Sequence, residues 1–287
     1  RDHGTRWRKK LGKSLSRGFM GTESQWKSLK MRIGMMGTLY FLILIFVNFL
    51  FSVDFALSLV AGWKDAIFPM YHAMSSLQSG IAICILTMFF ARKYWGLEKY
   101  ITIAQFWSLS KLQLATTVLW FYFFFSAFIV FWYGRSATDQ MVINLLIIGP
   151  YLPVFLGAFF LEFFIPWWIL VWNPIRKNIP ALTIVASLVL VGVLLDRIRI
   201  FVVSWSTYSN DVIHEKFVPD EKFPAMIAPT LPDILVFIGL ISLSLLVYIL
   251  STRLFPLISI WETHQSLLLT RVVKYVRTHV IAIGKPD

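Results

Sequence analysis

The sequence holds one cysteine, Cys84, and it falls inside an apolar run. A disulfide framework and a cysteine-ligated iron–sulfur cluster within this chain are therefore excluded, and Cys84 is expected to pack in the core. Histidine is scarce too. Of five, only His72 lies in an apolar run, whereas His3, His214, His264 and His279 lie outside. A haem held within a helical bundle uses pairs of embedded histidines, so the sequence argues against a haem in this chain. No HExxH, GxxxxGK[ST] or GxSxG pattern is present, which leaves the zinc-protease, P-loop and serine-hydrolase chemistries without their motifs. Nothing arranges Cys, His, Asp or Glu as metal ligands. Charge is thin as well, at 15% of residues against roughly 25% in a soluble domain.

What the chain has instead is apolar length. Hydrophobic residues make up 57% of the sequence, aromatics 17%, and the mean hydropathy is +0.70. Runs of about 20 apolar residues, enough to cross some 30 Å of hydrocarbon, recur six times, at 33–60, 66–90, 111–133, 141–172, 180–205 and 233–255. In lipid each run must satisfy its own backbone hydrogen bonds, and runs this long and continuous are helices rather than barrel strands. The expected fold is an all-α integral membrane protein, a six-helix transmembrane bundle. Residues 1–32 form a basic cytoplasmic arm, 33–255 the transmembrane domain, and 256–287 a cytoplasmic interfacial tail. The first residue is Arg1 rather than Met, and no signal-peptide pattern leads in. The chain is expected to be processed, trimmed or part of a longer product.

The formal charge of +12 is explained by where the basic residues lie. Ten of the 27 precede the first span, and others follow the second, fourth and sixth spans. That asymmetry puts both termini in the cytoplasm by the positive-inside rule, and it favours anionic-lipid contact over nucleic acid. Beyond the sixth span, Arg271, Lys274 and Arg277 recur at helical spacing beside Leu268, Leu269, Val272, Val273 and Val276, the pattern of an interfacial amphipathic helix. The connection 206–232, with Pro219, Pro224, Pro229, Pro232 and four acidic residues, is expected to be a structured or partner-bound loop. No internal repeat of 20–50 residues is present, so the two related halves of a secondary transporter are not seen.

Ionisable residues inside spans are costly and therefore candidates for function. From the rise of about 1.5 Å per residue, Asp54 reaches the outer boundary of span one, and His72 sits just inside span two. Asp196, Arg197 and Arg199 fall in the outer part of span five, and Asp233 opens span six. Together they suggest a polar pocket facing outward, pinched by the Gly62-Trp63 turn. A second reading stays open for each: Asp196 and Arg199 as an intrahelical pair, Asp54 as a helix terminator, His72 as a hydrogen-bonded core residue. Lys64 and Asp65 are expected to be interfacial turn residues. Glu162 is deeper, about ten residues from the inner end of span four, with Pro166 behind it and Gly149, Pro150 and Pro153 before it. It is either a proton-relay group or a neutral carboxyl steadying a kinked helix.

The stretch SVDFALSLVAGWKDAIFPMY (52–71) resembles the Ser-x-Asp-Phe, Gly-Trp and Phe-Pro-x-Tyr pattern of the NrfD or polysulfide-reductase membrane subunits, in particular the quinol-interacting subunits of alternative complex III. FYFFFSAFIVFWYG (121–134), LLDRIRIFVVSW (194–205) and PTLPDILVFIGLISLSLLVYILSTRLFPLISIWE (229–262) are similar to later segments of those subunits. Family members usually carry eight or ten spans where this chain shows six, and some have a histidine where this chain has Asn48.

The resemblance implies a prokaryotic inner-membrane protein that binds menaquinol or ubiquinol near the outer face. It further implies a multi-subunit complex in which a peripheral iron–sulfur subunit takes the electrons, with proton translocation as a possible accompaniment. Carried over by position, Asp54 would accept a quinol proton, and Asp196 and Arg197 would match the family's acidic-Arg motif. The expected catalytic residues are thus Asp54, His72, Asp196 and Arg197. Asp54, Trp63, His72 and Asp233 are expected to bind the quinone, and Glu162 to carry protons. Two rival functions remain: an accessory subunit of the same kind of complex that binds lipid rather than quinol, and a secondary transporter.

Overall fold

The structure is a computed structural model that describes residues 6–60, 63–208, 226–254, 270–275 and 278–283. Gly62, most of the 206–232 connection (209–225) and most of the C-terminal tail lie outside the described residues. Two units are distinguished, Lys30–Ile227 and a second made of Arg1–Leu29 with Ala228–Asp287.

Among the described residues, six helices are long and apolar enough to cross a membrane, and they fall on the six apolar runs of the sequence. In the larger unit, the span of α2 (Glu23–Phe55) continues through a 3-10 turn to Leu59, and α3 is Phe68–Tyr94. α4 (Ile103–Gly134) begins with a capping box in which Thr102 and Gln105 satisfy each other's backbone donors, the reciprocal device that fixes a helix start. The fourth run is broken. α5 (Ala137–Ile143) passes into a π-helical turn at Asn144–Ile148, and the chain bends at Gly149–Tyr151. It resumes as α6 (Leu152–Ala158), a second π segment (Phe159–Phe164) and α7 (Ile165–Leu170). The single span expected at 141–172 is therefore two pieces. The cause is Gly149-Pro150, since proline supplies no N–H and clashes with the preceding turn. After the short α8 (Asn173–Arg176) comes α9 (Ile179–Arg197), a third π segment (Ile198–Val202) and α10 (Val203–Tyr208).

α3 lies at the centre of this unit, packed against α4 on one side and α9 on the other, and α9 also packs against α6 and the second π segment. Gln78 meets Thr117 while Tyr71, seven residues earlier, meets Phe124, seven residues later, so α3 and α4 run antiparallel. α9 approaches the second π segment backbone to backbone. A Cβ on Gly192 would lie 2.5 Å from the Glu162 amide nitrogen, so only glycine allows this contact. The buried apolar core is aromatic, with Trp63, Phe68, Tyr71, Trp120, Phe131, Tyr151 and Phe163. Cys84 is exposed on α3, which corrects the expectation of a core thiol. Ile83 and Cys84 lie on the outer side of α3, while their neighbours Ala82 and Ile85 face the core.

The second unit holds α1 (Arg6–Leu15) and α11 (Leu231–Leu254). α1 lies within the basic arm. α2 begins at Glu23, ten residues before the apolar run, because Thr22 and Gln25 cap its start: the Gln25 Oε1 accepts from the Met20 and Gly21 amides, and Thr22 Oγ1 accepts from the Gln25 amide. Helix and hydrocarbon boundaries need not coincide.

The C-terminal tail departs from expectation. Thr270–Tyr275 (β1) and Thr278–Ile283 (β2) pair antiparallel, with Val273 opposite Val280 and Val272 opposite Ile281. The amphipathic helix expected there is corrected, over those residues, to a hairpin. All six residues at these two central pairings and the paired Thr270 and Ile283 ends are β-branched, and such side chains prefer a pleated strand. Leu268, Leu269, Val276 and Arg277 lie outside the described residues.

Candidate functional site

Two polar stripes run down α3. Tyr71, Ser75 and Gln78 are spaced four and three apart and face α4 and α9; His72, Ser76 and Ser79 form the adjoining stripe. In a helix otherwise surrounded by hydrocarbon, each such group needs a protein partner, and the partners define the site.

On the first stripe, Asp196 is fully buried and Arg199 nearly so. Arg199 donates to Asp196 Oδ1 through Nη2 at 2.6 Å and Nε at 3.2 Å, and the Tyr71 hydroxyl donates to the same oxygen at 2.6 Å. Arg199 Nη2 also reaches the Tyr71 oxygen at 3.1 Å, closing a triangle. The third arm, Nη1, donates to the Leu146 carbonyl at 3.2 Å. That carbonyl is available for a reason legible in the chain: Pro150, four residues on, has no N–H to offer it.

The same device recurs farther along the same run. Pro166 has no N–H for the carbonyl of Glu162, and Gln78 Nε2 donates to it at 2.7 Å while also donating to Thr117 Oγ1 at 3.0 Å. The Glu162 side chain is fully buried near the middle of its span and accepts from Ser75 Oγ at 2.7 Å, while its Oε2 has no partner among the described residues. Gln78 Oε1 and both amide atoms of Gln113 are likewise buried without partners there. Since Gln113 and Thr117 are one turn apart on α4, the polar groups form a file from Asp196 through Glu162 and Gln78 to Gln113. All three π segments border it, and π turns are frequent where a helix serves function rather than regularity.

Beside the triangle opens a cleft with about 50 Å³ of water-accessible space, room for a few waters. Its walls are aromatic, from Phe68, Phe124, Phe128 and Phe131, and its polar groups are Trp63, Asp65, Tyr71 and Arg199. The Trp63 indole N–H is buried without a partner among the described residues. Asp65 precedes α3, and its Oδ1 accepts from the Ile67 and Phe68 amides at 2.8 and 3.0 Å. Burial pushes its carboxyl above the usual carboxylate range, and the two amides offset only part of that rise. A half-buried carboxyl raised in this way is a proton acceptor poised nearer neutral pH. No group of three His, Cys, Asp or Glu among the described residues is placed to hold a metal ion.

The second stripe forms a separate cluster. His72 is buried, with Nδ1 3.2 Å from Asn48 Oδ1, and Ser76 Oγ donates to the same Asn48 oxygen at 2.7 Å. Arg197 Nη2 donates to the His72 carbonyl at 3.1 Å, and Phe51, Phe68 and Phe201 surround the imidazole.

The residues singled out in the sequence thus divide. Trp63 and Asp196 belong to the cleft and triangle, and His72 and Arg197 to the Asn48 cluster. Asp196 pairs with Arg199 rather than Arg197. Asp54 is exposed at the end of α2, with no hydrogen bond to its carboxylate among the described residues. Asp233, in the second unit, accepts at Oδ2 from the amide and hydroxyl of Thr230. Sequence reasoning set Asp65 aside as an interfacial turn residue and missed Tyr71, Ser75, Gln78, Gln113 and Thr117. The available signal was the repeated pairing of polar residues at 71/72, 75/76 and 78/79.

A family model described as "Polysulphide reductase, NrfD" matches residues 20–208. No curated protein matches the chain.

Proposed function

Because the chain belongs to the polysulphide reductase NrfD family, membrane subunits of quinol-linked oxidoreductase complexes, we propose that it oxidises a quinol in the Trp63–Asp65–Tyr71 cleft. The protein is a multi-pass protein of a prokaryotic membrane. The four resembling segments favour the branch of quinol-interacting subunits of alternative complex III, with menaquinol or ubiquinol as substrate and a peripheral iron–sulfur subunit as electron acceptor. The basic asymmetry of the sequence favours cytoplasmic termini and a cleft toward the outer face.

The observation that carries this reading is the cleft itself: aromatic walls that suit a flat ring, with a raised carboxyl and an indole N–H at one side and a charge-fixed tyrosine at the other. Quinol oxidation releases two electrons and two protons. The electrons leave to the iron–sulfur partner. Asp65 takes the two hydroxyl protons in turn, passing the first to water in the cleft before it accepts the second, because a weakly acidic quinol needs a base whose pKa lies near the working pH. Arg199 and Asp196 position the Tyr71 hydroxyl, whose proton is committed to Asp196, so that its oxygen accepts from the second quinol hydroxyl. Glu162, continued by Gln78, Thr117 and Gln113, supplies a file of polar groups along which a proton crosses the bundle; this is the proposed proton path. His72 and Arg197 steady the α2–α3–α9 junction beside the site.

One observation favours a second reading. The cleft's space holds a few waters more readily than a whole ring, which suits an accessory subunit that binds lipid on its outer surface and oxidises no quinol here. The test is turnover of the assembled complex with quinol. Asp65→Asn is expected to lower it at least about tenfold, the scale of lost general-base catalysis, while Asp54→Asn is expected to leave it near wild type. The opposite pattern would move the base to Asp54, and wild-type turnover in both would favour the accessory role.

A further inference from the structure

The connection from α3 to α4 and the segment around α8 carry the basic residues Arg92, Lys93, Lys99, Arg176 and Lys177, with Tyr94, Trp95, Trp107 and Trp172 interspersed. Aromatic residues amid basic ones mark the headgroup level of a membrane. One arrangement there has no structural explanation of its own. The Lys111 ammonium sits 3.5 Å from the centroid of the Trp107 ring, and the Lys177 ammonium lies 5.4 Å from the same centroid. The indole is fixed by its N–H, which donates to Asn173 Oδ1 at 3.1 Å.

Two cations therefore share one ring. Cation–π attraction holds each one, but nothing neutralises their mutual repulsion: the only ion pair among the described residues is Asp196–Arg199. Arg176, which precedes Lys177 in the chain, has its Nε buried without a hydrogen-bond partner among the described residues. Lys111 lies nine residues into α4, about 13 Å from its start. Its side chain folds back over Trp107, four residues toward that start, the direction in which helical side chains point. The ammonium thereby snorkels out of the hydrocarbon.

We propose that Lys111, Arg176 and Lys177, built around Trp107 where α4 meets α8, form a binding site for the phosphodiester of an anionic phospholipid. The phosphate bridges the two ammoniums, with Arg176, the chain neighbour of Lys177, as a third basic group, and the indole packs against the glycerol and the first acyl carbons. An amphiphile fits better than a free phosphate, because the acceptor position opens onto the apolar outer surface of α4, where Leu112 is exposed. The site is independent of the quinol cleft, and its test does not require turnover.

The test is native mass spectrometry of the detergent-purified complex titrated with phosphatidylglycerol, with phosphatidylcholine as the comparison lipid. The wild type is expected to retain phosphatidylglycerol in preference to phosphatidylcholine. The double variant K111Q/K177Q, which changes only exposed side chains, is expected to weaken phosphatidylglycerol binding about tenfold or more, as befits two basic groups at a membrane surface. R176Q alone is expected to weaken it by a smaller factor. Equal phosphatidylglycerol affinity in wild type and double variant would overturn the proposal. Displacement of the lipid by millimolar inorganic phosphate would overturn the lipid assignment in favour of a free anion.

Discussion

Asp196→Asn is the most informative single perturbation of the buried triangle. The substitution preserves shape but removes the charge that faces two Arg199 nitrogens, at 2.6 and 3.2 Å. Both partners are desolvated, so the arginine cannot turn to water for compensation. Breaking a buried pair from one side costs about 3–5 kcal/mol, mostly from the charge left behind. With about 2–4 °C lost per kcal/mol for a chain of this size, the melting temperature in detergent should fall by roughly 6–20 °C. The assay is intrinsic-fluorescence thermal unfolding of the purified complex, read at one detergent concentration. The reasoning makes a second demand. In Asp196→Asn/Arg199→Met no charge is stranded, and replacing both ends of a buried pair is often close to neutral, so the double variant should be more stable than the single one. A single variant that melts with the wild type, or a double variant less stable than Asp196→Asn, would refute the assignment of the triangle as a desolvated ion pair.

Other outcomes follow from the same geometry. Asp65 has a folded-state pKa raised by burial, so its stability contribution is present at low pH and is lost as pH rises through that value. The melting temperature of Asp65→Asn should therefore fall less than that of the wild type as pH rises from below the ordinary aspartate pKa of about 3.9 through the raised value, and an unchanged pH profile would speak against a buried Asp65. Gly192→Ala places a Cβ 2.5 Å from the Glu162 amide nitrogen and should destabilise by about 1–3 kcal/mol, as overpacking does. Gly80→Ala meets nothing within 4 Å and should be neutral or slightly stabilising; chemical-denaturation midpoints of the two variants give the comparison. Glu162→Gln should lower the number of protons moved per electron in proteoliposomes more than it lowers quinol oxidation. An unchanged ratio would remove Glu162 from the proton path.

The spans were legible because hydrocarbon thickness imposes length, and length is visible in any hydropathy pattern. Embedded charges were legible for a related reason: His72, Glu162, Asp196 and Arg197 stand out in apolar surroundings. Their partners were less visible. Tyr71, Ser75, Gln78 and Thr117 carry no charge, and their importance comes from a shared helical face with partners as far as 125 residues away, as for Tyr71 and Asp196. The free carbonyls of Leu146 and Glu162 were written four residues before Pro150 and Pro166, but which side chain would fill each one depends on how the helices pack. Asp65 looked like an ordinary turn residue because its burial is produced by Trp63 and α3 folding over it. The C-terminal tail misled because a spacing of three between Arg271 and Lys274 fits a helix, while the β-branched content around it favours a strand.

The central claim, a quinol headgroup between Trp63, Asp65 and Tyr71, is tested most directly by a cryo-EM map of the assembled complex in lipid with a tightly binding quinol analogue. The account predicts ring density within hydrogen-bonding distance of Asp65 and Tyr71, stacked against Phe124 or Phe128. An analogue lodged instead against Asp54 or His72, or a cleft filled by an acyl tail, would contradict it.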